Sequence, residues 1–379
     1  MASVWSMACG YALLGAATLY GIIVWLTAIA AFRVRPAALG GAPKVTLLKP
    51  LCGAEPETYG CLRSFCDQAY PDYQIVFGVA DPDDPAVAVV RQLQWEYPER
   101  EICMVIDRRQ HGSSRKVSNL INMLPHARHE YLILADSDVR VRPDYLTRVV
   151  APLLEPAVGI VTCAYRGVAR AGIWSTLGAM FINEWFTPSV WVAARGGSRG
   201  FAFGATIGLR RQVLARIGGL DSLVNHLADD YRLGELTRGV GLRTVLSEVE
   251  VEVVVVENDF RMLVLHELRW LRTIRAVRPM SYAFCFVTFG LPVALLGTML
   301  CQGRPLALSL LAITLAARVL LHLKRRQSHA PLGQIALVPL RDFLSIGIWV
   351  WSFVTRRVRW RDKHYRIFRD GSALPVARY

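Results

Sequence analysis

Four long apolar runs divide the chain, and a stretch of short alternating elements separates the first run from the other three. Residues 1–32 carry no charged side chain, and residues 10–32 form the first run. It is long enough for one membrane helix, which takes roughly 20 apolar residues. Residues 279–303 form a second charge-free run. Residues 305–323 form a third, with Arg318 and His322 near its end, where long side chains reach back to the interface. Residues 332–354 form the fourth, with Arg341-Asp342 in its middle. Between the first and second runs the period shortens. Residues 45–51 read as an apolar strand, 56–68 as a helix, 74–80 as a β-branched strand ending at Asp81, and 84–97 as a helix. Residues 102–106 are a third strand, 116–124 a helix, 131–135 a strand ending at Asp136, 144–154 a helix and 159–164 a strand. This order predicts an α/β fold over residues 43–257, a mainly parallel sheet covered by helices.

Composition agrees with a chain divided between water and membrane. Of 379 residues 53% are hydrophobic, and the mean hydropathy is +0.31, which excludes a disordered chain and argues against a wholly soluble one. The formal charge is +14, but it is not spread evenly. Residues 33–260 carry 25 basic and 26 acidic side chains. The excess sits in residues 261–278, in Lys324-Arg325-Arg326, and in residues 355–379, all flanking apolar runs. A nucleic-acid protein would carry its basic patch on the folded domain, so no nucleic-acid partner is expected. This distribution matches an anionic cytoplasmic membrane surface instead. Arg33, Arg35 and Lys44 follow the first run, which places the N-terminus outside and residue 33 onward in the cytoplasm. A cleaved signal peptide would carry a basic segment before its apolar stretch, and none precedes Arg33. Two full spans return the chain inside at Lys324. A fourth full span would export the basic tail, so the fourth run is expected to re-enter or lie at the interface, with Arg341 and Asp342 paired inside the protein. The expected layout is a membrane helix at 1–32, the α/β domain at 43–257, an interfacial helix at 258–278, membrane segments at 279–355 and a basic cytoplasmic tail at 356–379. Eight cysteines without a CxxC pair read as reduced thiols in a reducing compartment.

The candidate chemistry lies where the strands end, since ligands bind beyond the carboxyl ends of strands in open α/β sheets. Asp81, Asp83 and Asp84 follow one strand, and Asp136-Ser137-Asp138 follows another. Unpaired carboxylates are costly to desolvate, and a hard cation such as Mg²⁺ or Mn²⁺ sharing a diphosphate would offset them. Turn chemistry alone is the plain alternative. Asp229-Asp230 opens a helical pattern, as helix-dipole charge or as a general base. His266, Arg269 and Trp270 share one face of a basic amphipathic helix. Gly112–Lys116 is a small-residue loop with two cations before a helix, suited to phosphate.

These pieces, in this order, resemble the GT-A glycosyltransferases of the ceramide glucosyltransferase type. The resemblance covers about residues 44–280 and rests on KPLCG at Lys49–Gly53, DDPA at Asp83–Ala86, K-x-x-N-L at Lys116–Leu120 and DSD-x-R-V at Asp136–Val141. It continues through FAFGATIGLRR at Phe201–Arg211, LADDY at Leu227–Tyr231 and HELRW at His266–Trp270. It implies a Rossmann-like GT-A domain, a UDP-sugar donor and a lipid acceptor. It further implies that Asp81 or Asp84 meets the nucleoside, and Asp136 and Asp138 the metal and diphosphate. Asp230 matches the family's base, and Arg269 and Trp270 match the end of its Q/R-x-x-R-W motif. Two positions differ: His266 stands where the family has Gln or Arg, and Asp138 where ceramide glucosyltransferases usually have Gly. With Arg272-Thr273-Ile274-Arg275 following, HELRW looks more like the bacterial branch associated with hopanoid biosynthesis. That branch is implied to move N-acetylglucosamine from UDP-GlcNAc to bacteriohopanetetrol at the inner membrane, with inversion. Transfer to ceramide, transfer to a polyprenyl phosphate, a processive synthase and a non-enzymatic membrane protein are the alternatives.

Overall fold

The structure, a computed structural model, describes residues 4–30, 41–170, 172–198, 200–328, 330–360, 363–368 and 370–376. Arg33 and Arg35, on which the expected orientation rests, lie outside the described residues. Helix α1 (Val4–Ile29) comes first. The domain then runs through β1 (Val45–Pro50), α2 (Thr58–Cys66), β2 (Tyr73–Val79), α3 (Ala86–Glu96), β3 (Glu101–Ile106), α4 (Arg115–Met123) and β4 (Tyr131–Ala135). These follow the sequence reading to within a residue or two. Next come β5 (Val139–Arg140), α5 (Tyr145–Val150), β6 (Val158–Ala169), α6 (Gly172–Phe181) and α7 (Thr187–Arg195). The set closes with β7 (Thr206–Arg210), α8 (Arg211–Arg216), α9 (Asp229–Gly239) and β8 (Arg243–Val255).

The eight strands form one sheet in the order β3-β2-β1-β4-β7-β6-β8-β5. β1 to β4 are mutually parallel, as expected. The other half is mixed. β7 is antiparallel to both β4 and β6, β8 is parallel to β6, and β5 is antiparallel to β8. Six of the eight strands nonetheless run in one direction, so the sheet is mainly parallel as expected, with β7 and the two-residue β5 reversed. β7 lies inside a Gly/Ala-rich segment too short to show a period. β8 alternates openly in its SEVEVEV stretch, a period-2 signal. The sheet is buried on both faces: Leu47, Ile75 and Ile133 pack against one helical layer, and Leu48, Val76 and Leu132 against the other.

Beyond β8, α10 (Phe260–Val277) leads into α11 (Pro279–Phe284), α12 (Gly290–Leu300), α13 (Pro305–Arg325) and α14 (Leu337–Ser352). Val4–Ile29, Pro305–Arg325 and Leu332–Ser352 are each long and apolar enough to cross a membrane. The run expected to be a plain second span is instead broken. Pro279–Thr288 and Gly290–Leu300 meet at 71°. α1 and α12 touch backbone to backbone, because a Cβ on Gly10 would lie 2.8 Å from the Gly297 carbonyl oxygen, and one on Gly297 2.7 Å from that of Gly10. Small residues permit such close helix packing. Thr18 and Thr314 hydroxyls, 2.9 Å apart, tie α1 to α13.

Buried ion pairs weld these helices to the domain. Arg318 donates to Asp342 at 2.6 and 2.9 Å and lies 3.3 Å from Glu184, whose other oxygen is 2.7 Å from His322. Arg341 makes a two-bond fork to Glu267 at 2.6 and 2.8 Å. Arg341 and Asp342 thus find partners on other elements rather than each other. α14 runs alongside α10 in the same direction: Val338 packs with Leu263, Arg341 pairs with Glu267, and Phe353 lies under Arg275.

The segment read as a basic tail is folded. β9 (Arg357–Trp360), β10 (Lys363–Ile367) and β11 (Ala373–Val376) form an antiparallel sheet. It docks on the domain through Leu227 N–H to Gly371 and Ala373 N–H to the Asn225 carbonyl. Arg272 and Arg275 of α10 donate to the carbonyls of Arg357 and Thr355 at 2.8 and 2.7 Å. Those two side chains thereby hold the start of the C-terminal sheet against α10.

Candidate active site

β1 lies between β2 and β4, so the loops after these strands part and leave a crevice at their carboxyl ends, the usual ligand position in such sheets. A cavity of about 920 Å³ opens there. Asp81, Asp84, Lys116, Asp136 and Asp138 line it, and so do Asp230, His266, Arg269 and Trp270, whereas Gly112–Ser114 of the small-residue loop lie outside its lining.

The two acids after β2 behave differently. Asp84 accepts Gly53 N–H at 3.0 and 2.9 Å and Ala86 N–H at 2.8 Å, which pins the loop after β1 to the first turn of α3. Its carboxylate is therefore engaged with backbone. Asp81 is exposed at the rim, where the Asp83 N–H and Arg108 hold its carboxyl below the usual range.

Deeper in, Lys49 near the end of β1 is wholly buried. Its ammonium donates to the Asp136 carbonyl at 2.7 Å and sits 3.5 Å above the Phe65 ring, and burial pulls it down to about 7. Asp136 lies 2.6 Å from Lys116, which reaches Asp229 at 3.6 Å. Burial alone would lower the Lys116 ammonium, but Asp136, Asp229 and Asp230 outweigh it and hold it above its ordinary value. Burial, reinforced by Asp136, pushes the Asp138 carboxyl up to about 6. Among the described residues no three His, Cys, Asp or Glu side chains converge on one point. Asp136 and Asp138 thus offer two oxygen ligands, and the raised Asp138 carboxyl marks negative charge that the protein leaves under-compensated. That donor set fits a hard divalent cation whose remaining ligands come from a diphosphate.

Across the cavity, Asp229 and Asp230 occupy the first turn of α9. Asp230 accepts Gly204 N–H at 2.8 Å and Tyr231 N–H at 2.7 Å. Burial first, and Asp229 second, push its carboxyl up to about 7. Burial also raises Asp229. A Cβ at position 204 would come within 3.2 Å of the Asp230 carboxylate, so the approach requires glycine there or a shift. α10 forms the third wall. His266 lies 2.6 Å from the buried Glu257 carboxylate and meets Trp270 edge-on, with ring centroids 5.2 Å apart.

Sequence reasoning assigned no role to Lys49, Gly204, Glu257 or the aromatic wall. Tyr165 stacks on Phe186 at 5.2 Å and meets Phe203 and Trp270 edge-on at 5.9 and 6.3 Å. These rings come from four separate segments, and apart from Trp270, which the sequence singled out, they read individually as core. Nor did it place Tyr365 of β10 on the cavity, where its hydroxyl approaches the Ser113 carbonyl at 3.4 Å.

Known proteins are similar to this chain in sequence or in fold. Ceramide glucosyltransferase 1 of Caenorhabditis elegans is 23% identical over 209 residues, 54% of this chain and 44% of that protein. The ceramide glucosyltransferase of Candida albicans is 31% identical over 121 residues, 29% of this chain and 22% of that protein. The matched stretch spans less than half the length of these curated relatives. Among solved structures, the mannosyltransferase PcManGT from Pyrobaculum calidifontis, in complex with GDP-Man and Mn2+, superposes with a TM-score of 0.50. It is 22% identical, with 92% of this chain and 95% of that chain covered, a likeness of fold. The model of glycosyl transferase family 21 matches residues 11–373, from the first helix into the C-terminal sheet, and the chain belongs to that family.

Proposed function

We propose that this protein is an inverting membrane glycosyltransferase that moves a sugar from a UDP-sugar to a lipid hydroxyl. The observation that carries the proposal is one cavity holding an Asp-x-Asp pair on one wall and, on another, an Asp230 carboxyl poised near neutrality. A base is most effective when its pKa lies near the working pH. The acceptor hydroxyl gives its proton to Asp230 as its oxygen attacks the anomeric carbon. The bond to the diphosphate breaks on the opposite face, and the nucleoside diphosphate leaves with that electron pair. One displacement inverts the configuration. Asp136 and Asp138 would hold Mg²⁺ or Mn²⁺, which when bound offsets charge on the leaving diphosphate. Lys116 and Arg269 add positive charge to the same end, and Asp81 is the acid placed to meet the nucleoside at the rim.

The finer assignment is N-acetylglucosamine from UDP-GlcNAc to bacteriohopanetetrol, supported by HELRW and by Asp138. A phosphate acceptor would need no base, so the raised Asp230 carboxyl favours a neutral alcohol over a polyprenyl phosphate. The enzyme sits in a bacterial inner membrane with its sheet domain in the cytoplasm, where UDP-sugars are found. The C-terminal sheet after α14 docks on that domain, and Arg325 before it pairs with Glu250. Both ends of the fourth run therefore lie on the domain side, which supports a segment embedded along α10 rather than a full crossing. Mass spectrometry of lipid extracts from cells with and without the gene tests the function. An N-acetylhexosaminyl hopanoid that disappears with the gene is expected. A missing hexosylceramide instead would replace the acceptor, and unchanged glycolipids would refute the proposal.

A further inference from the structure

Two consecutive amides of the Phe203–Ala205 loop point at two different side chains. Gly204 N–H donates to the Asp230 carboxylate at 2.8 Å, and Ala205 N–H donates to the Tyr165 hydroxyl oxygen at 3.1 Å. The carboxylate and the phenol are thus held by amides one residue apart, and both side chains line the cavity. Tyr165 is 6% exposed, and what remains accessible faces the cavity. Its oxygen only accepts in this arrangement. A phenol also carries one proton to donate, and among the described residues nothing takes it. Leaving a buried donor unmet is costly, and native structures avoid it unless a ligand or water completes the bond. Burial, and then Asp230, hold this phenol well above its ordinary value, so the proton stays on. The surrounding rings of Phe186, Phe203 and Trp270 give a water few other partners.

We infer that Tyr165 is a specificity-determining residue that donates a hydrogen bond to a second oxygen of the acceptor head group, next to the hydroxyl that attacks. This rests on the proposed transfer to a lipid hydroxyl. The attacking oxygen gives its proton to Asp230 and its lone pair to the anomeric carbon, so a donor bonded to that same oxygen would oppose the attack. The phenol's proton therefore belongs to a neighbouring oxygen. The acceptor class is a lipid with adjacent oxygen functions, such as a vicinal diol, in preference to a simple monohydroxy lipid. A site built to bond a substrate oxygen discriminates against the analogue lacking it.

Tyr165→Phe keeps the stacked ring and removes only the hydroxyl. The full-length protein, in detergent with UDP-GlcNAc, is assayed on bacteriohopanetetrol and on a hopanoid mono-alcohol, with the thermal midpoint measured alongside. The variant should lose roughly tenfold in kcat/KM for the polyol. It should be unchanged on the mono-alcohol and in KM for the donor, so the preference for the polyol collapses. Equal loss on both acceptors would mean a structural role and overturn the inference. A rise in donor KM alone would mean the phenol reads the sugar, and an unchanged variant would mean its proton is satisfied elsewhere. Each of these leaves the proposed function standing. A wild-type protein that glycosylates no lipid alcohol would remove the function and the inference together.

Discussion

The pH dependence of transfer tests the base directly. As the proposed base, Asp230 would act as its carboxylate, and burial and Asp229 push its carboxyl up to about 7. Activity should therefore fall on the acid side, with about half the free enzyme competent at pH 7, roughly nine-tenths at pH 8 and roughly a tenth at pH 6. Two causes raise the carboxyl, burial first and the Asp229 charge second, and only the second is removed by Asp229→Asn. A unit charge at neighbouring-residue distance, with an effective dielectric constant of about 20, is worth on the order of 1–2 kcal/mol, or about one pH unit. The sign follows from the removed charge: without it the carboxylate is easier to form, so the acid limb of Asp229→Asn moves to lower pH while the plateau is kept. Asp230→Asn keeps the shape and can still accept the Gly204 N–H, but it has no basicity. Its plateau should drop by roughly 10²–10⁴-fold, the usual worth of a positioned base, and its acid limb should flatten. The assay is steady-state transfer from labelled UDP-GlcNAc to a purified hopanoid polyol between pH 5 and 9, read as kcat/KM for the acceptor. An acid limb that persists in Asp230→Asn, or that moves upward in Asp229→Asn, would refute the assignment. Loss of all activity in Asp229→Asn with a healthy Asp230→Asn would exchange the two roles.

Chelation by EDTA should abolish transfer and Mg²⁺ or Mn²⁺ should restore it, with Asp138→Asn needing more metal for half-maximal rate; full activity in EDTA would remove the cation from the proposal. Arg341→Met leaves Glu267 buried and unpaired, which costs about 3–5 kcal/mol. The Tm measured in detergent should fall, and adding Glu267→Gln should recover most of it. An unchanged Tm in the single variant would show that the pair contributes nothing.

The sequence by itself determined the local elements of the first half-sheet and the candidate acids. The strands ending at Asp81 and Asp136 are short, mainly apolar runs that each stop at an Asp, and that contrast survives any tertiary arrangement. The four apolar runs and the basic segments beside them were equally plain, because transfer from water to lipid depends on composition summed over about 20 residues. Direction and partnership were not. Whether β7 runs against β4 is set by hydrogen bonds between segments some seventy residues apart, which no local period records. The partners of Arg272 and Arg275 were hidden for the same reason: as a sequence they are charge on an amphipathic helix, and only folding brings the Arg357 and Thr355 carbonyls to them. Asp81 and Asp84 looked alike in one dimension, and the fold separated them when the loop after β1 brought the Gly53 amide to Asp84, beside the Ala86 amide of α3. Asp229 and Asp230 were told apart in the sequence by the resemblance alone, and in the fold the Gly204 amide meets one carboxylate and Lys116 the other. Tyr165 carried no signal, since a tyrosine in an apolar strand is ordinary core. Its hydroxyl gained a function when a loop some forty residues away placed one amide on it and the preceding amide on the base. A side chain's chemical type is written in the sequence, but its protonation, its partners and its unmet hydrogen bond are properties of the neighbours that folding supplies.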